Sequence, residues 1–234
     1  MRLLSAIKHD IRFQFRHGFY YAYLFVSLIY IGILRIVPTD LKSFFGTWII
    51  FTDPSVLGFF FVGGVILLEK DQNMLESLFV TPLRVREYFI SKVISLALLS
   101  LVSSSIIIIF GYGIEINPLP LLIGVPLTSI FFTLIGMTLA VRASSLNQYI
   151  LISIVYTIPF VLPLLGFLNL FKTPLYYILP GKASLIAVAG IFHDIGWLEW
   201  LYLIVNLIIW ITIAYQWASR WFYKYVILGI GEGK

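Results

Sequence analysis

Long apolar blocks, separated by short polar stretches, are the feature that most constrains how this chain of 234 residues can fold. Hydrophobic residues make up 60% of the chain and charged residues only 12%, and the mean hydropathy is +0.99. These proportions leave too little polar surface to cover a soluble domain of this size. The sequence therefore predicts an all-α integral membrane protein, organised as a single transmembrane domain over residues 1–234.

Six of the apolar regions are assigned as membrane-spanning helices. A bilayer core about 30 Å thick needs about 20 apolar residues per helix, so six spans account for most of the chain. We predict the spans at residues 19–37, 54–68, 93–111, 121–141, 149–170 and 198–219. Pro159 and Pro163 are expected to kink the fifth span, because proline removes a backbone donor.

Shorter helices are predicted around these spans. Residues 1–18 have the pattern of an amphipathic helix lying in the membrane interface. Its apolar face recurs at four-residue steps, beside a row of basic residues: Leu3, Ile7, Ile11 and Phe15, with Lys8, Arg12 and Arg16. Phe13 falls outside that face. Two apolar runs before the last span, residues 175–179 and 183–192, are too short to cross and indicate re-entrant or interfacial helices.

The distribution of basic residues predicts the orientation. Across the six spans, twelve of the sixteen Lys and Arg lie on the side of the two termini and of the 69–92 loop. The other side carries Arg35, Lys42, Lys172 and Lys182. The positive-inside rule then places both termini in the cytoplasm of a multi-pass plasma-membrane protein. The basic pI of 9.3 reflects this topology and contact with lipid headgroups, and nothing in the sequence indicates a nucleic-acid partner.

The polar segment 69–82 interrupts two long apolar blocks and is predicted to form a short cytoplasmic helix. Read as a helix, it places Met74, Leu75, Leu78 and Phe79 on one face, and Thr81-Pro82 ends it. Such a face needs an apolar partner. It could rest on lipid or on the protein's own bundle, or it could insert into a groove of a cytoplasmic protein.

The same segment carries a family resemblance. The string Glu69-Lys-x-x-x-Met-Leu-Glu-Ser-Leu-x-x-Thr-Pro-Leu83 resembles the cytoplasmic loop of ABC-2 type permeases, the membrane subunits of ATP-driven exporters. This chain has Asn73-Met74 where Gly-Thr is usual in that family. Together with residues 10–20 and Asp53-Pro54, the string is most similar to small permeases of the fluoroquinolone-exporter type.

The resemblance implies that transport and ATP hydrolysis are carried out by separate chains. In such systems the loop helix is a coupling helix that docks on a separate nucleotide-binding subunit, and two permease chains, identical or different, form the pathway. The docking residues it implies here are Met74, Leu75, Leu78 and Phe79, with Glu76 as a polar contact. ATP and Mg²⁺ would bind the partner ATPase and not this chain, which contains no Gly-x-x-x-x-Gly-Lys-Ser/Thr.

The sequence gives little support for catalysis or metal binding by this chain. There is no cysteine, and the three histidines are scattered without metal-ligand spacing. We therefore expect a transporter subunit with no catalytic residue, metal or cofactor of its own. The one acid that abuts the start of a span is Asp53, a candidate for substrate binding. Its alternative role is that of an N-cap beside Pro54.

Three functions remain open from the sequence alone. The first is an exporter of amphipathic or lipophilic compounds, because the predicted spans present almost no charge. The second is the related ABC permease that serves haem or cytochrome c assembly, whose loop pattern is similar. The third is an ATP-independent membrane scaffold or secondary transporter in which segment 69–82 only lies on the membrane.

Overall fold

A computed structural model of the chain describes residues 2–53, 56–72, 74 and 84–227, and every regular element within them is helical. Before the segment 73–83 come α1 (Arg2–Arg16), α2 (Phe19–Ile36), α3 (Thr39–Thr52) and α4 (Leu57–Asp71). After it come α5 (Val85–Ile107), α6 (Pro118–Ala140), α7 (Leu146–Val161), α8 (Pro163–Phe167), α9 (Pro180–Ala189) and α10 (Trp197–Phe222). Two π-helical turns extend α5 and α10, at Ile108–Tyr112 and Tyr223–Ile227, and a 3₁₀ turn at Pro174–Ile178 precedes α9.

Four helices of the described residues are long and apolar enough to cross a membrane: Phe19–Ile36, Val85–Tyr112, Pro118–Ala140 and Trp197–Val226. They correspond to the first, third, fourth and sixth predicted spans, and the third begins eight residues earlier than predicted. The remaining two, α4 with 15 residues and α7 with 16, are shorter. At 1.5 Å per residue they reach only about 22 to 24 Å. The structure thus supports four spans, and the count of six remains a prediction.

The start of the second predicted span is wrong in the sequence analysis. Asp53 was expected to cap a helix beginning at residue 54, but it lies at the C-terminal end of α3 instead, and α4 begins at Leu57 with Val56 as its N-cap. The reason is packing. Buried Ile50 and Phe51 hold α3 against the bundle up to its last turn, so α3 continues to Thr52.

Helix α6 occupies the centre of the bundle. It packs against α4, α5, α9 and α10, and Phe131 and Phe132 in its middle are fully buried. Its start follows from local chemistry: the Asn117 side chain accepts a hydrogen bond from the backbone N–H of Leu119 at 3.3 Å, and Pro118 occupies the first helical position.

The region before the last span is broken into short helices, whose re-entrant or interfacial placement stays a prediction. Helix α7 ends at Val161 and α8 begins at Pro163, whereas Pro159, which was also expected to kink the chain, lies inside α7. The 3₁₀ turn and α9 then supply the two short helices. α9 packs with α10 through alanines and leucines, including the fully buried Ala183 and Leu203.

Side chains of α10 fix the 3₁₀ turn. The Tyr202 hydroxyl donates to the Tyr177 carbonyl at 2.8 Å, and the Trp210 indole N–H donates to the Ile178 carbonyl at 2.8 Å. Between them, Asn206 Nδ2 donates to the Tyr177 carbonyl at 3.2 Å. These donors are four residues apart and therefore form one polar strip along α10.

The packing of α4 against α7 generates a testable prediction. The buried Tyr149 hydroxyl donates to the Phe59 carbonyl, and the Tyr149 ring lies where a Cβ at Gly63 would be. Gly63→Ala should therefore lower the free energy of unfolding by about 1–3 kcal/mol, the range for overpacking a core. Unfolding followed by tryptophan fluorescence in detergent measures the loss.

Gly32→Ala is the matched control for Gly63→Ala. A Cβ at Gly32, in the exposed part of α2, meets no atom within 4 Å. Its stability should equal or slightly exceed that of the wild type, because alanine favours helix over glycine. Equal unfolding of the two variants would contradict the described packing of Gly63 on Tyr149.

Candidate functional site

The predicted docking face lies largely outside the described residues. Met74 is described and is helical and partly exposed, whereas Leu75, Glu76, Leu78 and Phe79 fall in the part of the chain that the structure does not describe. The structure does define the two ends to which this segment is attached. Those ends are the C-terminal turn of α4 and the first turns of α5.

A buried group of charges joins these two ends. Lys92 of α5 is only 1% exposed, and its Nζ bonds to Asp10 Oδ1 of α1 and to Glu69 Oε1 of α4, each 4% exposed. The Tyr88 hydroxyl donates to the second carboxylate oxygen of Glu69 at 2.7 Å. We call these four residues, Asp10, Glu69, Tyr88 and Lys92, the Lys92 cluster.

Local helix geometry places each member of the Lys92 cluster. Tyr88 and Lys92 are four residues apart on α5 and therefore share one face. On α1, Asp10 and Gln14 are also four residues apart and share one face. The Gln14 side-chain amide donates to the Ser95 hydroxyl of α5 at 2.8 Å. The helix α1 is thus attached to α5 by a polar face.

The start of α5 is fixed by Glu87. Its carboxylate accepts a hydrogen bond from the backbone N–H of Arg84 at 2.9 Å, as in a capping box. The buried Tyr88 and Lys92 follow within the first turns of the helix.

The helix α1 covers most of the predicted amphipathic segment 1–18, and its placement in the membrane interface stays a prediction. The residues buried against the bundle are Asp10, Phe13 and Gln14. Phe15, from the predicted apolar face, is exposed, and Phe13, which the sequence analysis left outside that face, is buried. The pairing of Asp10 with Lys92 sets which side of α1 faces the bundle, because a buried ammonium requires a nearby carboxylate.

The Lys92 cluster pairs its one cation with both of its acids, and Oδ2 of Asp10 is left buried without a hydrogen-bond partner. One ammonium lies between two carboxylates, with the aromatic ring of Tyr88 5.1 Å from Lys92 Nζ. Lys92 is almost completely buried, so it presents no accessible nucleophile. Among the described residues, no group of three or more His, Cys, Asp or Glu could hold a metal ion. The cluster is therefore an anchor between three helices.

Sequence reasoning missed this anchor. It placed Glu69 in the polar segment and counted Lys92 among the loop cations, whereas both are buried within helices. The available signal was the pair of four-residue spacings, Asp10 with Gln14 and Tyr88 with Lys92, each polar within an apolar surrounding. Lys92 is thus removed from the loop count; over the six predicted spans the remaining basic residues favour the same orientation, which stays a prediction.

Asp53 lies apart from the Lys92 cluster. It directly follows the last residue of α3, is partly buried, and lies near the hydroxyls of Tyr23 and Tyr30 of α2.

Apolar helices of spanning length packed around α6 define this chain as a multi-pass membrane protein. A model of the fluoroquinolones export permease protein family matches residues 1–229, and the chain belongs to that family. Two relatives from strains of Mycobacterium tuberculosis, both named fluoroquinolones export permease protein, are each 26% identical to it over 200 residues. The match covers 85% of this chain and 84% of each relative. The family is that of a transporter and not of a classical enzyme, as the sequence predicted.

The Lys92 cluster generates a second prediction. Lys92→Met leaves two buried carboxylates without a counter-charge, so the free energy of unfolding should fall by about 3–5 kcal/mol. Asp10→Asn should lower the free energy of unfolding by less, because the remaining charges of Lys92 and Glu69 cancel each other. Unfolding in detergent, followed by tryptophan fluorescence, measures both.

Lys8→Met is the matched control on the exposed side of α1. It removes the same charge from a solvated position and should change stability by no more than about 0.5 kcal/mol. Wild-type stability of Lys92→Met would show that the buried charges do not hold the three helices together.

Proposed function

We propose that this chain is the membrane-spanning subunit of an ATP-driven ABC exporter that moves amphipathic or lipophilic compounds outward, fluoroquinolones among them. The observation that carries the proposal is the family match over residues 1–229, together with the names of the two mycobacterial relatives. Hydrolysis of ATP takes place on a separate ATPase chain, because this sequence contains no phosphate-binding loop of the P-loop type.

The proposed assembly contains two permease chains and the ATPase in the plasma membrane, with both termini of the permease in the cytoplasm. The excess of basic residues on the side of the termini supports this orientation. The helix 69–82 docks on the ATPase through Met74, Leu75, Leu78 and Phe79, with Glu76 as a polar contact.

The Lys92 cluster links the docking helix to α1, α4 and α5. Glu69 precedes the segment 73–83 and Lys92 follows it, and Lys92 is bonded both to Glu69 and to Asp10 of α1. Separating buried charges is costly, so α1 and the adjoining ends of α4 and α5 move together. A displacement of the docking helix by the ATPase is then passed to all three helices.

Family membership favours the drug exporter over the haem-type permease. The remaining alternative, an ATP-independent scaffold or secondary transporter, differs in one observable respect. Only the exporter requires stable association with an ATPase and stimulation of its ATP hydrolysis by transported compounds.

A single reconstitution tests the proposal. The permease, co-expressed and purified in mild detergent with its ATPase, should retain it, and a fluoroquinolone should stimulate ATP hydrolysis by the complex. In the double variant Leu75→Asp, Leu78→Asp, we expect loss of both association and stimulation, because two carboxylates replace the centre of an apolar docking face.

The matched control is Leu75→Met, Leu78→Met, which keeps an apolar face of similar volume and should retain the ATPase. Co-purification of the Asp variant at the wild-type level would overturn the docking assignment. Absence of any associated ATPase from the wild type would overturn the exporter and favour the scaffold or secondary transporter.

A further inference from the structure

An open cavity of about 570 Å³ lies where the 3₁₀ turn meets the ends of α8 and α9. Lys172 lines it before the turn, Tyr177 within the turn, and Lys182 from the start of α9. Its volume falls within the range of ligand sites in proteins, about 300–1,000 Å³. We call this cavity the Lys182 pocket.

Both lysines of the Lys182 pocket are without a counter-charge. None of the lining residues is acidic, and the ion pairs of the described residues both belong to Lys92. Lys182 also lies in the first turn of α9, where the helix dipole is positive and a cation is unfavourable. Neither an acid nor the helix therefore accounts for a cation at this position.

The ammonium group of Lys182 is held in place by its surroundings. Its Nζ lies 5.2 Å from the centroid of the Tyr177 ring. The backbone of Tyr177 is fixed in turn, because its carbonyl accepts hydrogen bonds from Tyr202 and Asn206 of α10. A cation positioned in this way loses little conformational freedom when an anion binds, which favours binding.

The neighbouring polar side chains add further hydrogen-bond donors. Thr173 Oγ1 accepts a hydrogen bond from the backbone N–H of Leu175 at 3.4 Å, which leaves its own proton to donate. Asn169, which also lines the cavity, carries two N–H donors on its side-chain amide. Two ammonium groups with hydroxyl and amide donors form a set that recognises an oxyanion such as phosphate.

The surroundings of the Lys182 pocket favour an oxyanion that is attached to an apolar body. Four large apolar side chains next to the lining residues in sequence are 61–71% exposed: Leu170, Phe171, Leu175 and Ile178. The pocket also lies beside the first three turns of α10, a helix of spanning length, and therefore at one end of the bundle. Lipid headgroups lie at the ends of membrane-spanning helices.

From these observations we propose that the Lys182 pocket binds the phosphate headgroup of an anionic phospholipid. The ammonium groups of Lys172 and Lys182 neutralise the phosphate, Thr173 and Asn169 donate to its oxygens, and the acyl chains lie along the exposed apolar side chains. The site goes beyond the proposed function, since lipid binding requires neither the ATPase nor transport.

The sequence supports a dedicated site. Only Arg35, Lys42, Lys172 and Lys182 are predicted on the side of the membrane opposite the termini. Two of these four basic residues line this single cavity.

Equilibrium binding of single lipids to the full-length chain in mild detergent, followed by native mass spectrometry, tests the site. The probes are dioleoylphosphatidylglycerol and dioleoylphosphatidylcholine, which share their acyl chains and of which only the first has a net charge. The wild type should bind the anionic lipid about fivefold or more tightly than the neutral one. The double variant Lys172→Gln, Lys182→Gln should weaken binding of the anionic lipid by about tenfold or more and leave the neutral lipid unchanged.

Two double variants separate this site from general charge and from folding. Lys8→Gln, Lys224→Gln removes the same charge from exposed positions, and Lys224 Nζ likewise lies 5.5 Å from the centroid of a tyrosine ring, that of Tyr225. It should bind the anionic lipid within about twofold of the wild type. Lys172→Arg, Lys182→Arg keeps both charges and should retain binding, because arginine also binds phosphate.

Inorganic phosphate distinguishes a lipid from a soluble oxyanion. At equal concentration it should not displace the anionic lipid, because it has no acyl chains to contact the apolar side chains. Displacement would overturn the lipid as the ligand of this pocket.

Three further results would overturn the site: wild-type affinity of the glutamine variant for the anionic lipid, equal affinity of the wild type for both lipids, or an equal loss in Lys8→Gln, Lys224→Gln. None of these measurements involves the ATPase, so failure of the lipid site and failure of the exporter are distinguishable.

Discussion

The burial of Lys92 between two carboxylates is the interaction on which the organisation of this bundle depends. An ammonium in a low-dielectric interior is tolerated only when it is paired, and each carboxylate here comes from a different helix. The pairing therefore fixes the rotation of α1, the end of α4 and the start of α5 at once. It also explains why α1 carries a polar face toward the bundle and leaves Phe15 exposed.

The opposite end of the bundle is held by weaker bonds. Tyr202, Asn206 and Trp210 of α10 donate neutral hydrogen bonds to the carbonyls of the 3₁₀ turn, and these sites are exposed. A neutral hydrogen bond contributes about 0.5–1.5 kcal/mol, whereas breaking a buried ion pair by removing one partner costs about 3–5 kcal/mol. The two ends of the bundle are thus tied in different ways, by a buried cluster of charges at one end and by exposed hydrogen bonds at the other.

Hydrophobic patterning predicted the helical class and, among its six predicted spans, the four that are helices of spanning length, because these follow from local composition. It also predicted a disruption at Pro163, whereas Pro159 lies inside α7. Positions that depend on tertiary packing were not predictable in this way. Asp53 next to Pro54 has the sequence of a helix start, yet burial of Ile50 and Phe51 extends the preceding helix to Thr52. The Lys92 cluster joins residues 23 and 82 positions apart, and no local pattern records such a contact.

Spin-label distances measured in the complex with the ATPase test most directly whether the Lys92 cluster makes one rigid body of α1 and α5. The chain has no cysteine, so labels can be introduced at chosen pairs without background. The distance between labels at the exposed Lys8 and Arg86 should stay the same on ATP binding, while the distance from Arg86 to Lys172 at the other end changes. A change in the Lys8 to Arg86 distance on ATP binding would contradict the rigid coupling of these helices.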